Sequence, residues 1–80
     1  MLRLDRLGQN LRKARKRHYP GDDMKAFAIR LGISRATLQK MESGELSVSM
    51  VYYYKAADLL GLTEGFSLLF EEQGSLFDDE

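Results

Sequence analysis

The turn signals that interrupt this chain limit its fold more than any other feature of the sequence. Three polar residues stand before stretches of helix-forming residues, and their side chains can cap a helix N-terminus: Asp23, Ser34 and Ser49. Gly32 and Gly61 follow such stretches, where a left-handed residue commonly ends a helix. The only proline lies in Tyr19-Pro20-Gly21 and stops the first stretch, because proline disfavours helical geometry in the residue before it. The chain is therefore interpreted as a series of short helices.

Apolar residues recur within these stretches at helical spacing, and few runs alternate as strands do. In the first stretch the recurring apolar residues are Leu4, Leu7, Leu11 and Ala14. We predict an all-α fold of five helices. The expected ranges are roughly 3–18, 24–31, 35–43 and 50–60, with a fifth helix capped by Thr63.

The composition excludes several classes of function. The chain has 80 residues, the size of one small domain, and its 44% hydrophobic and 30% charged residues are typical of a folded globular domain. It contains no cysteine and a single histidine, His18, so disulfides, thiolate metal sites and multi-histidine zinc sites are excluded. It offers neither a Gly-rich phosphate loop nor a usable Ser-His-Asp set. We therefore expect no enzyme, no metal and no cofactor.

The sequence also lacks the marks of a membrane or exported protein. No apolar run approaches the ~20 residues that span a bilayer, and no signal-peptide pattern opens the chain. Membrane binding through the first helix is disfavoured, because the apolar face of that helix is needed for the core. We expect a cytoplasmic protein.

The formal net charge of zero conceals a strong polarity along the chain. Residues 1–40 hold eleven Lys and Arg residues against three Asp residues, a net charge of +8. Residues 41–80 hold one Lys against nine acidic residues, a net charge of −8. This polarity predicts that the first half meets a polyanion while the second half stays away from it. The basic run Arg12–Arg17 admits two interpretations, a solvated helix face or a face that reaches phosphate.

Residues 23–44 carry the clearest functional signal: a helix, a turn that contains Gly32, and a second helix capped by Ser34. Two helices joined by such a turn form the helix-turn-helix pattern, whose second helix enters the DNA major groove. Over roughly residues 7–62 the chain resembles the Xre/Cro-type family of helix-turn-helix repressors. The residues that carry the resemblance are Leu11-Arg12-Lys13-Ala14-Arg15, Ala28, Gly32-Ile33-Ser34-Arg35, Leu38, Met41-Glu42-Ser43-Gly44 and Ala56-Ala57-Asp58-Leu59-Leu60-Gly61-Leu62.

The resemblance implies a five-helix lambda-repressor-like DNA-binding domain over residues 1–73, followed by an acidic tail over residues 74–80. It implies a transcriptional regulator, a repressor that binds double-stranded DNA at an inverted-repeat operator as a homodimer. From the spacing alone, Ala36, Gln39 and Lys40 point away from the face that holds Leu38 and Met41. The candidate DNA-binding residues are Lys25, Ser34, Arg35, Ala36, Thr37, Gln39, Lys40, Ser43 and Tyr52.

The resemblance also implies a structural ion pair between Arg15 and Glu42. The sequence departs from the family at Met24, where a glutamine often touches phosphate or braces the recognition helix, and Lys25 is the candidate replacement for that contact. The loop at residues 19–22 is longer than usual, and the acidic residues beside it make it a poor phosphate clamp.

The second half of the chain leaves two functions open. Phe66, Leu69 and Phe70 fall at i, i+3 and i+4, and they either close the core of the monomer or form a dimer seam together with Leu76 and Phe77. Of the three consecutive tyrosines at 52–54, at least one must belong to the core. The alternative function is an antitoxin-like subunit that neutralises a partner protein, a HipA-type toxin, and regulates its own operon.

Overall fold

The computed structural model of this protein describes residues 2–72 and contains five α-helices within them. Their bounds are α1 Asp5–His18, α2 Met24–Leu31, α3 Arg35–Glu42, α4 Met50–Leu60 and α5 Glu64–Ser67. Within the described range there is no strand, and the single isolated bridge joins Arg3 to Glu45 in antiparallel fashion. The prediction of a small all-α fold with five helices is confirmed. The predicted acidic tail at 74–80 lies outside the described residues.

The predicted caps explain where α2, α3 and α4 begin and end. The side chain of Asp23 accepts a hydrogen bond from the Ala26 N–H at 2.8 Å, and the Ser34 hydroxyl accepts one from the Thr37 N–H at 3.0 Å. Ser49 caps α4 in the same way. These bonds satisfy N–H groups that have no partner within the helix.

The start of α1 lies two residues later than predicted, because the chain before it is extended and bonded to another segment. The Leu4 N–H donates to the carbonyl oxygen of Gly44 at 2.8 Å, and the Leu46 N–H donates to that of Leu2 at 3.1 Å. These two bonds tie the residues before α1 to the loop between α3 and α4.

The fifth helix is shorter than predicted. It ends at Ser67, and Thr63 makes no side-chain capping bond. The chain then turns, and Phe70 takes a left-handed conformation with φ of 68°. The prediction that Phe66, Leu69 and Phe70 share one helical face is therefore wrong, because the last two lie beyond the helix.

The core lies where α1, α2, α3 and α4 meet. Phe27, Leu38 and Met41 have no measurable exposure, and they are surrounded by other buried residues: Leu11, Ala28, Leu31, Tyr53, Ala56 and Leu60. These residues are the inward positions of four amphipathic helices. Between residues 2 and 72, no helix has both the length and the apolar character needed to cross a bilayer.

Candidate nucleic-acid interface

The turn between α2 and α3 is short because two backbone groups close it. Gly32 has φ of 70°, a conformation that costs glycine little, and its N–H donates to the Ile29 carbonyl oxygen at 3.1 Å. The Ile33 N–H donates to the carbonyl oxygen of Ala28 at 3.1 Å. This pattern of bonds is the Schellman ending of a helix. It lets Ser34 cap the start of α3 only two residues after Gly32.

The helix α3 has one buried face and one exposed face. Leu38 and Met41 are fully buried and fix the helix to the core. The residues of the opposite face are all exposed: Arg35, Ala36, Gln39 and Lys40. At 1.5 Å per residue, the eight residues of α3 make a rod about 12 Å long, and an α-helix fits the width of the DNA major groove. The exposed face offers a cation, a small residue, an amide and a second cation to whatever it meets.

The hydroxyl groups of Ser34 and Thr37 are committed to the start of α3. The Ser34 hydroxyl accepts from the Thr37 N–H and donates to the Thr37 Oγ1 at 2.9 Å. The proton of the Thr37 hydroxyl remains free for an acceptor outside the helix. Of these two candidate residues, Thr37 is the one with a hydrogen-bond donor to spare.

An open cleft of about 580 Å³ lies between α1, the start of α2, and α3. It brings two of the candidate residues, Gln39 and Ser43, together with Arg12 and Lys16 from the basic run. Lys25 and Tyr52 are exposed but do not line this cleft, and neither does Arg35. The candidate DNA-binding residues therefore fall into a cleft group and a group outside it.

Arg15 and Glu42, the residues implied as a structural pair, form a two-bond ion pair at the base of this cleft. The Arg15 Nε donates to Glu42 Oε2 at 2.6 Å, and a second guanidinium nitrogen donates to Oε1 at 3.2 Å. Their side chains are only 6% and 8% exposed. The pair joins α1 to the end of α3, and the Arg15 guanidinium also reaches the carbonyl oxygen of Asp22 at 3.5 Å.

The acidic residues beside the cleft are also partnered. Arg30 binds the Asp22 carboxylate through two nitrogens, at 2.5 and 3.3 Å, and this hydrogen bonding holds the pKa of Asp22 below its ordinary value. The same guanidinium lies 4.6 Å from the centre of the Tyr19 ring. Asp23 is occupied as the cap of α2. The acidic pair at this loop is therefore compensated locally.

Arg12 and Lys16 differ from these residues, since neither forms an ion pair within residues 2–72. Both are exposed, and both line the cleft whose acidic groups are already compensated. Their charges are therefore available to an anion. Arg12 and Lys16 are therefore the residues of the basic run that bring unpaired cations to the cleft.

Met24 stands at the start of α2, where the resemblance led us to expect a polar residue. Its side chain lines the cleft and packs partly against the core. A thioether offers no hydrogen-bond donor, so this position cannot hold a phosphate. The neighbouring Lys25 is exposed and has a flexible ammonium group.

The three consecutive tyrosines have three different surroundings. Tyr53 is the core member, and its hydroxyl donates to the Glu45 carbonyl oxygen at 2.6 Å. Burial raises the pKa of the Tyr53 hydroxyl, and the charge of Glu45 adds to the effect. Tyr54 packs edge-on against Phe66 with ring centres 5.3 Å apart. Tyr52 is 39% exposed, with the Lys55 ammonium 5.9 Å from its ring centre, so it is available to a ligand at the start of α4.

Two glycines hold α1 against the end of α3: Gly44, which the resemblance included, and Gly8, which the sequence interpretation did not single out. A Cβ at Gly8 would collide with the backbone of Glu42 and Gly44, and a Cβ at Gly44 would collide with the backbone of Leu4. Gly44 also has φ of 77°. The sequence signal for Gly8 was a glycine inside an amphipathic helix, which often marks a place where another backbone packs closely against the helix.

The chain matches no family model, no curated protein and no solved structure in comparisons of its sequence and fold with known proteins. Within residues 2–72 there is also no group of three or more acidic or histidine residues that could hold a metal ion. The geometry of the cleft and of α3 is therefore the basis for any functional assignment.

Proposed function

We propose that this protein is a sequence-specific DNA-binding transcriptional regulator, a repressor of the Xre/Cro type with a lambda-repressor-like fold. The observation that carries the proposal is the exposed face of α3. Arg35, Ala36, Gln39 and Lys40 project from a helix that is fixed from behind by Leu38 and Met41. Side chains of these types read base edges: an amide pairs with adenine and a cation with guanine.

The cleft beside α3 supports a proposed interface in which some residues bind phosphate and others read bases. Arg12 and Lys16 carry the uncompensated charge there and are suited to phosphate, which positions a protein on the duplex without reading sequence. Ser43 and Gln39 lie at the same cleft, so a phosphate held there lies beside the reading face. Thr37, Lys25 and Tyr52 extend the proposed phosphate contacts beyond the cleft.

A homodimer is part of the same proposal, because one recognition helix reads too few base pairs to select a single site in a genome. Phe70 supports it most directly, since the residue is 98% exposed and a large aromatic ring is costly to leave in water. Phe66 and Leu69 are the other seam residues. The operator would then be an inverted repeat whose half-sites are centred about 34 Å apart, one helical turn.

Selection from a random pool of double-stranded DNA tests this function. The proposal expects enrichment of one motif with inverted symmetry and that half-site spacing. A pool that shows no enrichment after several rounds, with folded protein, would contradict sequence-specific binding. A motif without internal symmetry would contradict the dimer while leaving the DNA-binding function in place.

The antitoxin-like subunit is the second candidate, and the observation that favours it is the group of large exposed apolar side chains near α4 and α5. Such a subunit would bind a partner protein through that surface and DNA through α3. Co-purification with the protein encoded by an adjacent gene tests this function. If that protein did not change the binding of this chain to its operator, the result would count against an antitoxin role.

A further inference from the structure

The side chains that line the cleft beside α3 carry no net charge among themselves. Three cationic and three anionic residues form its charged lining: Arg12, Arg15, Lys16, Asp22, Asp23 and Glu42. The Arg15–Glu42 pair cancels itself at the base of the cleft, which leaves two cations against two aspartates. A phosphate that enters such a cleft meets repulsion as well as attraction. The proposed phosphate contact of Arg12 and Lys16 therefore depends on what neutralises the aspartates.

We propose that Arg30, which does not line the cleft, is the positioning residue that makes the cleft accept a phosphate. Arg30 acts through Asp22, because it neutralises the one carboxylate of the lining that no other group compensates. The inference rests on the proposed function, since it names the residue on which the proposed phosphate contact of Arg12 and Lys16 depends.

The Arg30 guanidinium holds both oxygens of the Asp22 carboxylate. Its Nε donates to Asp22 Oδ2 at 2.5 Å, and its Nη2 donates to Oδ1 at 3.3 Å. The Asp22 side chain is only 13% exposed, so water and salt screen its charge less than that of an open surface carboxylate. With Arg30 in place, an anion in the cleft meets an ion pair at this wall instead of a free carboxylate.

An aromatic contact holds the half-exposed Arg30 side chain in this position. Its guanidinium lies 4.6 Å from the centre of the Tyr19 ring, within the range of a cation–π contact. The Tyr19 ring in turn packs edge-on against the buried Phe27, with ring centres 5.5 Å apart. Because Tyr19 is anchored to the core in this way, it keeps the Arg30 guanidinium beside Asp22.

The backbone of Asp22 is held at the cleft by bonds that do not involve Arg30. Its N–H donates to the Tyr19 carbonyl oxygen at 3.0 Å, and its own carbonyl oxygen accepts from Nη1 of Arg15 at 3.5 Å. Loss of the Arg30 charge would therefore leave an unpaired carboxylate at the wall of the cleft. That carboxylate would oppose the attraction of Arg12 and Lys16 for an anion.

The other aspartate of the lining is compensated without Arg30. Asp23 caps α2, and its carboxylate accepts from the Ala26 N–H at 2.8 Å. A carboxylate at this end of a helix also faces the positive pole of the helix dipole. In the part of the chain that the structure describes, the Asp22 carboxylate accepts hydrogen bonds from Arg30 alone. Of the two aspartates, Asp22 is therefore the one whose compensation depends on Arg30.

Titration of the full-length chain with inorganic pyrophosphate, followed by the amide signals of Gln39 and Ser43, tests the proposal without DNA. We expect these signals to shift in the wild type. Arg30→Gln should weaken the affinity about 2- to 5-fold, the effect of one unpaired charge close to the anion in partly screened surroundings. Arg3→Gln is the matched control, because it releases Asp5 from an ion pair that does not line the cleft. It should bind pyrophosphate as the wild type does.

The double variant Arg30→Gln with Asp22→Asn separates action through Asp22 from any other role of Arg30. It keeps the net charge of the wild type but lacks the ion pair, and we expect it to recover most of the pyrophosphate affinity lost in Arg30→Gln. An affinity as low as that of Arg30→Gln would overturn the proposal, because Arg30 would then bind the anion itself or hold the loop.

Two other results would also overturn the proposal: no shift at Gln39 and Ser43 in the wild type, or equal affinities of Arg30→Gln and the wild type. Selection from random DNA tests the proposed function separately. A selected motif together with either of these results would refute this inference alone. The expected pyrophosphate results without any enriched motif would instead refute sequence-specific binding and leave the dependence of the cleft on Arg30 in place.

Discussion

Replacing one member of the Arg15–Glu42 pair should destabilise this fold more than most single changes. Arg15→Met keeps much of the side-chain volume but leaves the carboxylate of Glu42, whose side chain is only 8% exposed, without its partner. An unpaired buried charge costs about 3–5 kcal/mol. A domain of this size has only about 4–12 kcal/mol of stability in total, so the change removes a large share.

Urea unfolding followed by far-ultraviolet circular dichroism measures this cost, and thermal unfolding gives a second readout. With about 4–8 °C of Tm per kcal/mol for a small domain, the midpoint should fall by at least about 12 °C. Arg3→Met is the matched control, because the Arg3–Asp5 pair is 3.9 Å apart and both side chains are more than half exposed. Such pairs contribute about 0–1 kcal/mol.

The double variant Arg15→Met with Glu42→Leu isolates the charge from the packing. Because it removes both charges, it should recover much of the stability lost in Arg15→Met. A single variant that costs less than about 1 kcal/mol would refute the reasoning, since the pair would then behave as an exposed one. A double variant as unstable as the single one would place the cost in side-chain packing instead.

Three other results are expected. Gly8→Ala should lower the free energy of unfolding by about 1–3 kcal/mol, measured by thermal unfolding, because the added Cβ would meet backbone atoms across the α1–α3 contact. Gly21→Ala is the control and should be nearly neutral, because its Cβ would meet nothing. A Gly8→Ala variant more stable than the wild type would contradict this account. Burial raises the pKa of Tyr53 in the folded protein, so the contribution of this residue to the free energy of unfolding is complete below about pH 10 and is lost as the pH rises through the pKa of the folded state. The Tyr53→Phe variant should therefore lose stability less steeply than the wild type in this pH range, and equal slopes would show that Tyr53 does not cause the loss. The logarithm of affinity for a selected operator should fall with the logarithm of salt concentration, and Lys16→Ala should make the slope shallower by about one; an unchanged slope would remove Lys16 from the interface.

The sequence predicted the middle of this fold well because local signals determine it. Asp23, Ser34 and Ser49 cap helices through bonds to residues two or three positions away, and Gly32 and Gly61 end helices through their own conformation. No distant residue is needed to set where these helices begin and end. The bounds of α2 and α4 accordingly match the prediction, and α3 differs by one residue at its end.

The sequence predicted less well where distant segments meet. The late start of α1 depends on hydrogen bonds from Leu2–Leu4 to residues 44–46, which no local pattern reveals. The early end of α5 removed the expected helical face of Phe66, Leu69 and Phe70. The cleft depends on how helices are placed against each other, so only its individual residues could be anticipated from the chain.

The account depends most on the claim that the exposed face of α3 reads DNA bases. The direct measurement is to repeat the selection from random DNA with Arg35→Ala, Lys40→Ala and, as a charge-matched control, Lys13→Ala, which lies outside the cleft. We expect each α3 variant to lose preference at specific base positions and to bind the wild-type site about 1–3 kcal/mol more weakly, while Lys13→Ala selects the wild-type motif. A motif that is the same for all four proteins would contradict the claim.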